Sequence, residues 1–411
     1  MNQAFFHKLY GAKKPRVHYY GRDFLDYTLM VLVSAAVIAL AYGVTHVMAV
    51  AGFVLCAFML VMFAKRHGVE FTIPLLFRRP QDVIYLFIYK IQNLKAVWYI
   101  AIGLLLLENF AIAATSNLPH HVALVRTVAL YLFYIHFLGI TAYRTVILAA
   151  HLRKTELVRE VLMQTPWKRV VNEKTNITLE ILHAYATGLL THIILLIPWY
   201  LVIRYFNFSV VFLPAVCALN LLVWWRWMKA HNAWFYRDHW LGHNSELEFV
   251  LLHGTHHDAI PSGLIGVAEH GFLEGLLRGA LAFPDPFFNP LIAFLVYTAL
   301  IKQNIDVHQY IPGIFPKMPR NLVEISQHST HHYGLLEPYS FGLKVDQPGV
   351  SEAFRKSLVL PDELANSIRL DEELNGFAWD NPTFQRTLGL YDKYHDDGTV
   401  TINADASSVH S

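Results

Sequence analysis

The sequence predicts an all-α fold, a polytopic transmembrane helix bundle with a cytoplasmic histidine-box cap that holds two metals. Three observations lead there. The chain is 55% hydrophobic and only 16% charged, where soluble domains carry about 25% charged residues. Apolar runs of bilayer length recur through residues 24–228, and about 20 helical residues cross a hydrocarbon core. Finally, His239 and His243, then His253, His256 and His257, then His328, His331 and His332 form the patterns HxxxH, HxxHH and HxxHH. On helices these i, i+3, i+4 intervals turn the imidazoles of one box to one side.

Residues 1–23 are polar and basic, without the pattern of a secretory signal peptide, so the first apolar helix is the expected targeting signal. The run from Phe24 to Ala64 is long enough for two spans, with a break at Tyr42-Gly43. Four more follow at Ala96 to Ala114, Val122 to Ala150, Leu179 to Tyr205 and Val210 to Met228, for about six helices over 24–228. Between the second and third, Gln81 to Lys95 reads as an amphipathic interfacial helix or a plain connection, with Tyr85, Tyr89 and Trp98 as candidate headgroup-level aromatics. Lys8, Lys13, Lys14, Arg16 and Arg22 precede the first span, Lys65, Arg66, Arg78 and Arg79 follow the second, and Arg153, Lys154, Arg159, Lys168 and Arg169 follow the fourth. Thr115 to His121 carries no Lys or Arg. The positive-inside rule then places the N-terminus in the cytoplasm and returns the chain there at Lys229.

Residues 229–345 form the histidine-box region. A single full crossing by the apolar stretch Asn289 to Ile301 would separate the third box from the first two. That stretch is short and is preceded by Pro284, Pro286 and Pro290. It is therefore expected to pair with Phe272 to Phe283 as a re-entrant or interfacial hairpin near 272–301. Residues 346–411 turn acidic, with Asp371, Glu372, Glu373, Asp396 and Asp397. They read as a cytoplasmic tail, helical around Pro361 to Leu374.

Imidazole suits iron, zinc, copper and nickel. Eight boxed histidines are twice the set of a four-coordinate structural zinc, so two metals sharing them is the economical arrangement. His308 is a candidate ninth ligand and His270 a candidate shell member or helix cap. His231 reads as structural, and Asp238 as either an orienting carboxylate or a solvated one. The ten histidines before residue 230 (His7, His18, His46, His67, His120, His121, His136, His151, His183 and His192) show no repeated ligand spacing. They read as hydrogen-bonding groups, helix caps or interfacial residues.

On Asp238-His239-Trp-Leu-Gly-His243, Leu252-His253-Gly-Thr-His256-His257-Asp258, Glu269-His270-Gly-Phe-Leu-Glu274, Val307-His308 and His328-Ser-Thr-His331-His332, the chain resembles the fatty acid hydroxylase and sterol desaturase superfamily of integral membrane non-haem di-iron enzymes. The resemblance covers about residues 225 to 345. It implies two iron ions held by His239, His243, His253, His256, His257, His308, His328, His331 and His332, with His270 as a further candidate. It also implies dioxygen as co-substrate and oxidation of an unactivated lipid C–H bond, with no catalytic residue apart from the ligands. The leader is longer than a minimal family core. In place of the usual Asn-Tyr-Gly after the last box stand Tyr333-Gly334 and then Tyr339-Ser-Phe-Gly342, so fatty acyl, sterol-like and related substrates all stay open.

Cys56 and Cys217 are the only cysteines, too few for an iron–sulfur site, and no glycine-rich dinucleotide fingerprint follows a strand. Electrons are therefore expected from a separate cytochrome b5, ferredoxin or reductase-type donor. Basic residues are scattered rather than gathered on one face, which speaks against nucleic acid. Hydroxylation is the expected activity and desaturation by the same site the alternative. A metal transporter or sensor would distribute ionisable residues through its spans, and a dead lipid-binding scaffold would be expected to have lost boxed histidines. With no endoplasmic-reticulum retrieval signal at the C-terminus, a bacterial inner membrane is the expected location and the endoplasmic reticulum the alternative, with both termini and the boxes cytoplasmic.

Overall fold

The computed structural model describes residues 24–67, 95–156, 158–159, 174–223, 225 and 289–306. Every regular element among them is helical. Helix α1 is Phe24–Tyr42 and α2 is Val47–His67, so the break falls at the expected Tyr42-Gly43. Gly43 has φ 88°, a left-handed conformation that costs a glycine nothing and lets the chain reverse. The two helices approach closely at Gly52, where a Cβ would stand 2.9 Å from Ile38 Cδ1. Tyr27 stacks on Phe63 at a ring separation of 4.0 Å near the far end of the pair.

Helix α3 is Lys95–Ala114, and α4 is Val122–Arg153. The buried residues of α4 are Val125, Ala129, Phe133, His136, Ile140, Arg144, Ile147 and His151, a single stripe at steps of three and four. The expected Leu179 to Tyr205 span is two helices, α5 at Ile177–Leu195 and α6 at Ile197–Tyr205. Pro198 causes the joint, since its ring nitrogen cannot donate to the preceding turn. Helix α7 is Leu213–Val223. Among the described residues, three elements are long and apolar enough to cross a membrane, Val47–Lys65, Val122–Arg153 and Ile177–Tyr205, and the shorter apolar helices are Tyr27–Tyr42, Tyr99–Ala114 and Leu213–Val223. The α5–α6 span has 78% of its most apolar window buried, against 28% for α4, so it is the central element around which the others pack.

The two ends of the bundle differ. Turns 43–46, 115–121 and 206–212 contain no Lys or Arg; the last two meet at one end of the bundle, and the first lies toward the same end. There the Val210 N–H donates to the His120 carbonyl at 3.2 Å, the Asn207 N–H to Asn109 Oδ1 at 3.2 Å, and Arg126 Nη2 to Asn207 Oδ1 at 2.6 Å. In the 43–46 turn, the His46 ring lies 4.9 Å from Tyr200 of α6 and 6.2 Å from Tyr134 of α4. Lys65, Arg153, Lys154 and Arg159 stand at the opposite, basic end.

Pro290–Ile292, the π-helical turn Ala293–Tyr297 and Thr298–Asp306 follow one another without interruption, and together they are α8. Its first residues, Ile292 and Ala293, share a core with Ile193, Trp199 and Tyr200. Its last, Ile301 and Ile305, share one with Ile147, Ile177 and Ile181. Helix α8 therefore runs parallel to α4 and finishes at the basic end. The proposed hairpin partner, Phe272 to Phe283, lies outside the described residues, as do the interfacial segment at 81–94, the N-terminal segment and the acidic tail.

Candidate functional site

His239, His243, His253, His256, His257, His270, His308, His328, His331 and His332 all lie outside the described residues, and so does Asp238. Among the described residues, no group of three or more His, Cys, Asp or Glu side chains could hold a metal ion. What the structure describes is the frame from which the box region departs. Helix α7 begins at the Lys/Arg-free end, just after the Val210–His120 bond, and α8 ends at Asp306, two residues before His308 in the chain.

A chain of polar groups crosses the centre of that frame. His136 Nε2 lies 2.9 Å from His192 Nε2, and His136 Nδ1 lies 2.7 Å from Thr298 Oγ1. The Thr298 hydroxyl donates to the Phe294 carbonyl inside the π turn, so toward His136 it accepts. His136 then carries its proton on Nδ1 and accepts at Nε2 from His192 Nε2–H, which leaves Nδ1 of His192 unprotonated. That nitrogen is the one ring atom of the pair with no hydrogen-bond partner. The order of donors is thus fixed from His192 through His136 and Thr298 to Phe294. Trp199 flanks the His136 ring at 5.2 Å, and the Tyr297 hydroxyl donates to the Leu195 carbonyl at 3.3 Å. Lys302 Nζ sits 4.9 Å above the Tyr143 ring. These polar contacts dock α8 onto α4 and α5.

Other histidines without box spacing are also hydrogen-bonded. His46 Nδ1 accepts the Met48 N–H at 3.2 Å, which caps α2, and its Nε2–H donates to the Tyr134 hydroxyl at 2.8 Å. Burial and the neighbouring Arg204 charge lower the His46 pKa. Ser209 Oγ accepts from the Val211 N–H at 3.1 Å and donates to His120 Nδ1 at 2.9 Å. His120 Nε2–H then donates to the Thr115 carbonyl at 2.9 Å. Beside this clasp Glu108 is buried, with Oε1 accepting the Ser209 N–H at 3.0 Å. At the basic end His151 Nδ1 lies 2.8 Å from the Ile147 carbonyl.

His136, Arg144 and His151 were not singled out by ligand spacing, yet the sequence carried a signal for them. They fall in register with Phe133, Ile140 and Ile147 on the apolar stripe of α4, and an ionisable residue on a stripe facing the bundle interior is a candidate polar contact. No protein-family model, curated protein or solved structure matches the chain.

Proposed function

We propose that the chain is a membrane-bound non-haem di-iron oxidoreductase of the fatty acid hydroxylase and sterol desaturase type, inserting oxygen into a C–H bond of a lipid. The single observation that carries the reading is the ordered set HxxxH, HxxHH, HxxHH with His308 between the last two boxes. The fold adds support. Chain segments leading into the first box and into His308 come from helices that head away from the Lys/Arg-free end, α7 from its first turn and α8 along its whole length. One centre drawing on both segments then needs no ligand to cross the bilayer. Two bound irons would supply, with dioxygen, two protons and two electrons from a separate donor, the oxidation of a C–H bond to an alcohol and water. The protein's described residues contribute an apolar surround, in which α5 and α6 form the buried centre.

The test is metal content of the detergent-purified protein beside His256→Ala and His331→Ala. About two irons per wild-type chain, lost in both variants, supports a shared cage. One zinc, or iron kept when either box is broken, overturns it. Product mass then separates hydroxylation, which adds one oxygen, from desaturation, which removes two hydrogens.

One set of observations favours a second reading, that of a metal transporter. Glu108, His136, Arg144, His151, Glu180, His183 and His192 are buried within helices of the bundle, as a path through a membrane would require. Metal uptake into sealed vesicles, abolished by His136→Ala and indifferent to dioxygen, would select that reading over the enzyme.

A further inference from the structure

The candidate span Ile177–Tyr205 ends one residue beyond Arg204, so the last turn of α6 stands where hydrocarbon gives way to headgroups. Arg204 is exposed there. Its Nη1 donates to the Tyr200 hydroxyl at 3.2 Å, and its guanidinium carbon lies 5.8 Å from the centre of the Tyr205 ring. Tyr200 in turn packs against Tyr42 and His46 at ring separations of 4.8 Å and 4.9 Å. Burial, and after it the Arg204 charge, lower the His46 pKa, which puts the guanidinium within electrostatic reach of the 43–46 turn.

Arg126 brings a second charge to the same end. Its Nη2 donates to Asn207 Oδ1 at 2.6 Å and to the Phe206 carbonyl at 3.3 Å, and Phe206 is two residues beyond Arg204. Both acceptors are neutral, so they orient the guanidinium without cancelling its charge. Among the described residues neither arginine forms an ion pair. Turns 43–46, 115–121 and 206–212 contain no Asp or Glu, and Glu108 is buried with Oε1 committed to the Ser209 N–H. An end whose turns lack Lys and Arg thus keeps two arginines without a counterion. Tyr205, Val210 and Val211 expose large apolar surfaces in the same stretch of chain. A phosphate carried on acyl chains satisfies both features, because the planar guanidinium fork matches phosphate oxygens and the apolar side chains meet the hydrocarbon.

We propose that Arg204, with the charge of Arg126 in support, binds the phosphate of an anionic phospholipid in the leaflet at this end of the bundle. The site stands whether or not the histidine boxes carry iron.

The probe is phosphatidylglycerol bearing a diazirine near its glycerol, added to the detergent-purified full chain, photolysed and mapped by peptide mass. Labelling of residues 205–212 should be displaced by unlabelled phosphatidylglycerol and at least about fivefold less well by phosphatidylcholine. Arg204→Gln should lower it by about fivefold, whereas Lys65→Gln, which removes an exposed cation at the opposite end, should leave it unchanged. Helicity and elution profile serve as folding controls. Wild-type labelling in Arg204→Gln, an equal fall in Lys65→Gln, or equal displacement by phosphatidylcholine overturns the proposal. Displacement by inorganic phosphate as effective as that by phosphatidylglycerol overturns it too, assigning the arginines to a soluble anion. Should Arg204→Gln fail to fold, the order of competitors on the wild-type protein decides.

Discussion

Replacing Thr298 by Val keeps the shape and β-branching of the side chain in α8 and deletes only the hydroxyl that accepts from His136 Nδ1. His136 is 1% exposed, so the stranded N–H has no water to turn to. A buried donor deprived of its partner costs about 1–3 kcal/mol, and hydrogen bonds between membrane helices average ~0.6 kcal/mol with a maximum near ~1.7 kcal/mol. Together these set the expected loss at about 1–2 kcal/mol, or about 5–30-fold in the folded-to-unfolded ratio. The second bond lost, from the Thr298 hydroxyl to the Phe294 carbonyl, is removed equally in a His136→Phe background. A double-mutant cycle therefore isolates the His136–Thr298 pair. Without a His136 N–H to strand, Thr298→Val should cost under about 0.5 kcal/mol, giving a coupling of about 1 kcal/mol. Reversible unfolding in mixed micelles, followed by fluorescence of the nine tryptophans, measures all four proteins. Additivity within about 0.5 kcal/mol would refute the donor order deduced for the bundle centre.

At His192 the same order makes two amides unequal. Gln places its amide nitrogen near the position of Nε2 and can keep donating to His136, whereas Asn reproduces only the bare Nδ1 side; His192→Gln should cost under about 1 kcal/mol and His192→Asn about 1–3 kcal/mol, and equal losses would contradict the assigned tautomer. His46 predicts an acid-sensitive turn. Its folded pKa lies below the ordinary 6.5, so between the two values the unfolded chain binds more protons, and the His46 contribution is complete above pH 6.5 and lost as pH falls through the folded value. His46→Asn keeps an oxygen to cap Met48 but cannot titrate, and its unfolding midpoint should lose less stability than wild type between pH 7 and about 5. At Gly52, Ala gains about 1 kcal/mol of helix propensity, offset by displacing the Ile38 δ-methyl; Leu should lose about 1–3 kcal/mol by overpacking. A Leu variant as stable as wild type would show that α1 and α2 do not meet there.

Much of the frame could be read from the sequence because bilayer-length apolar runs and glycine turns are local signals. Gly43 at the reversal and the starts of α3 and α4 follow from windows of a few residues. The α5–α6 joint is legible in Pro198, but apolarity continues unbroken across it, so hydropathy alone merges the two helices. The buried polar chain was illegible for another reason. Ligand spacing searches for partners three and four residues apart, whereas His136 finds His192 at a separation of 56 residues and Thr298 at 162. Only the phase of His136 within the α4 stripe hints at burial, and phase does not name a partner. The boxed histidines are the reverse case, clear in spacing and lying outside the residues whose geometry is described.

Helix α8 packs against His136 and precedes His308 in the chain. Between apolar helices in a membrane, packing discriminates poorly between one helix register and another, because acyl chains are as apolar as leucine. Directional bonds must therefore set where α8 sits. Three contacts do so, from His136 to the Thr298 hydroxyl, from Tyr297 to the Leu195 carbonyl, and from Lys302 over the Tyr143 ring. All three lie within ten residues of Asp306, where α8 ends. A shift of one helical residue moves a helix end by about 1.5 Å, far beyond the tolerance of ~0.2 Å within which metal–ligand distances are held. His136, backed by His192, thus helps fix the register of the helix that precedes His308 in the chain. If the chain holds the two irons proposed above, Thr298→Val should weaken metal binding as well as the fold, although Thr298 is not itself a ligand candidate, and unchanged metal content in a destabilised variant would refute that link.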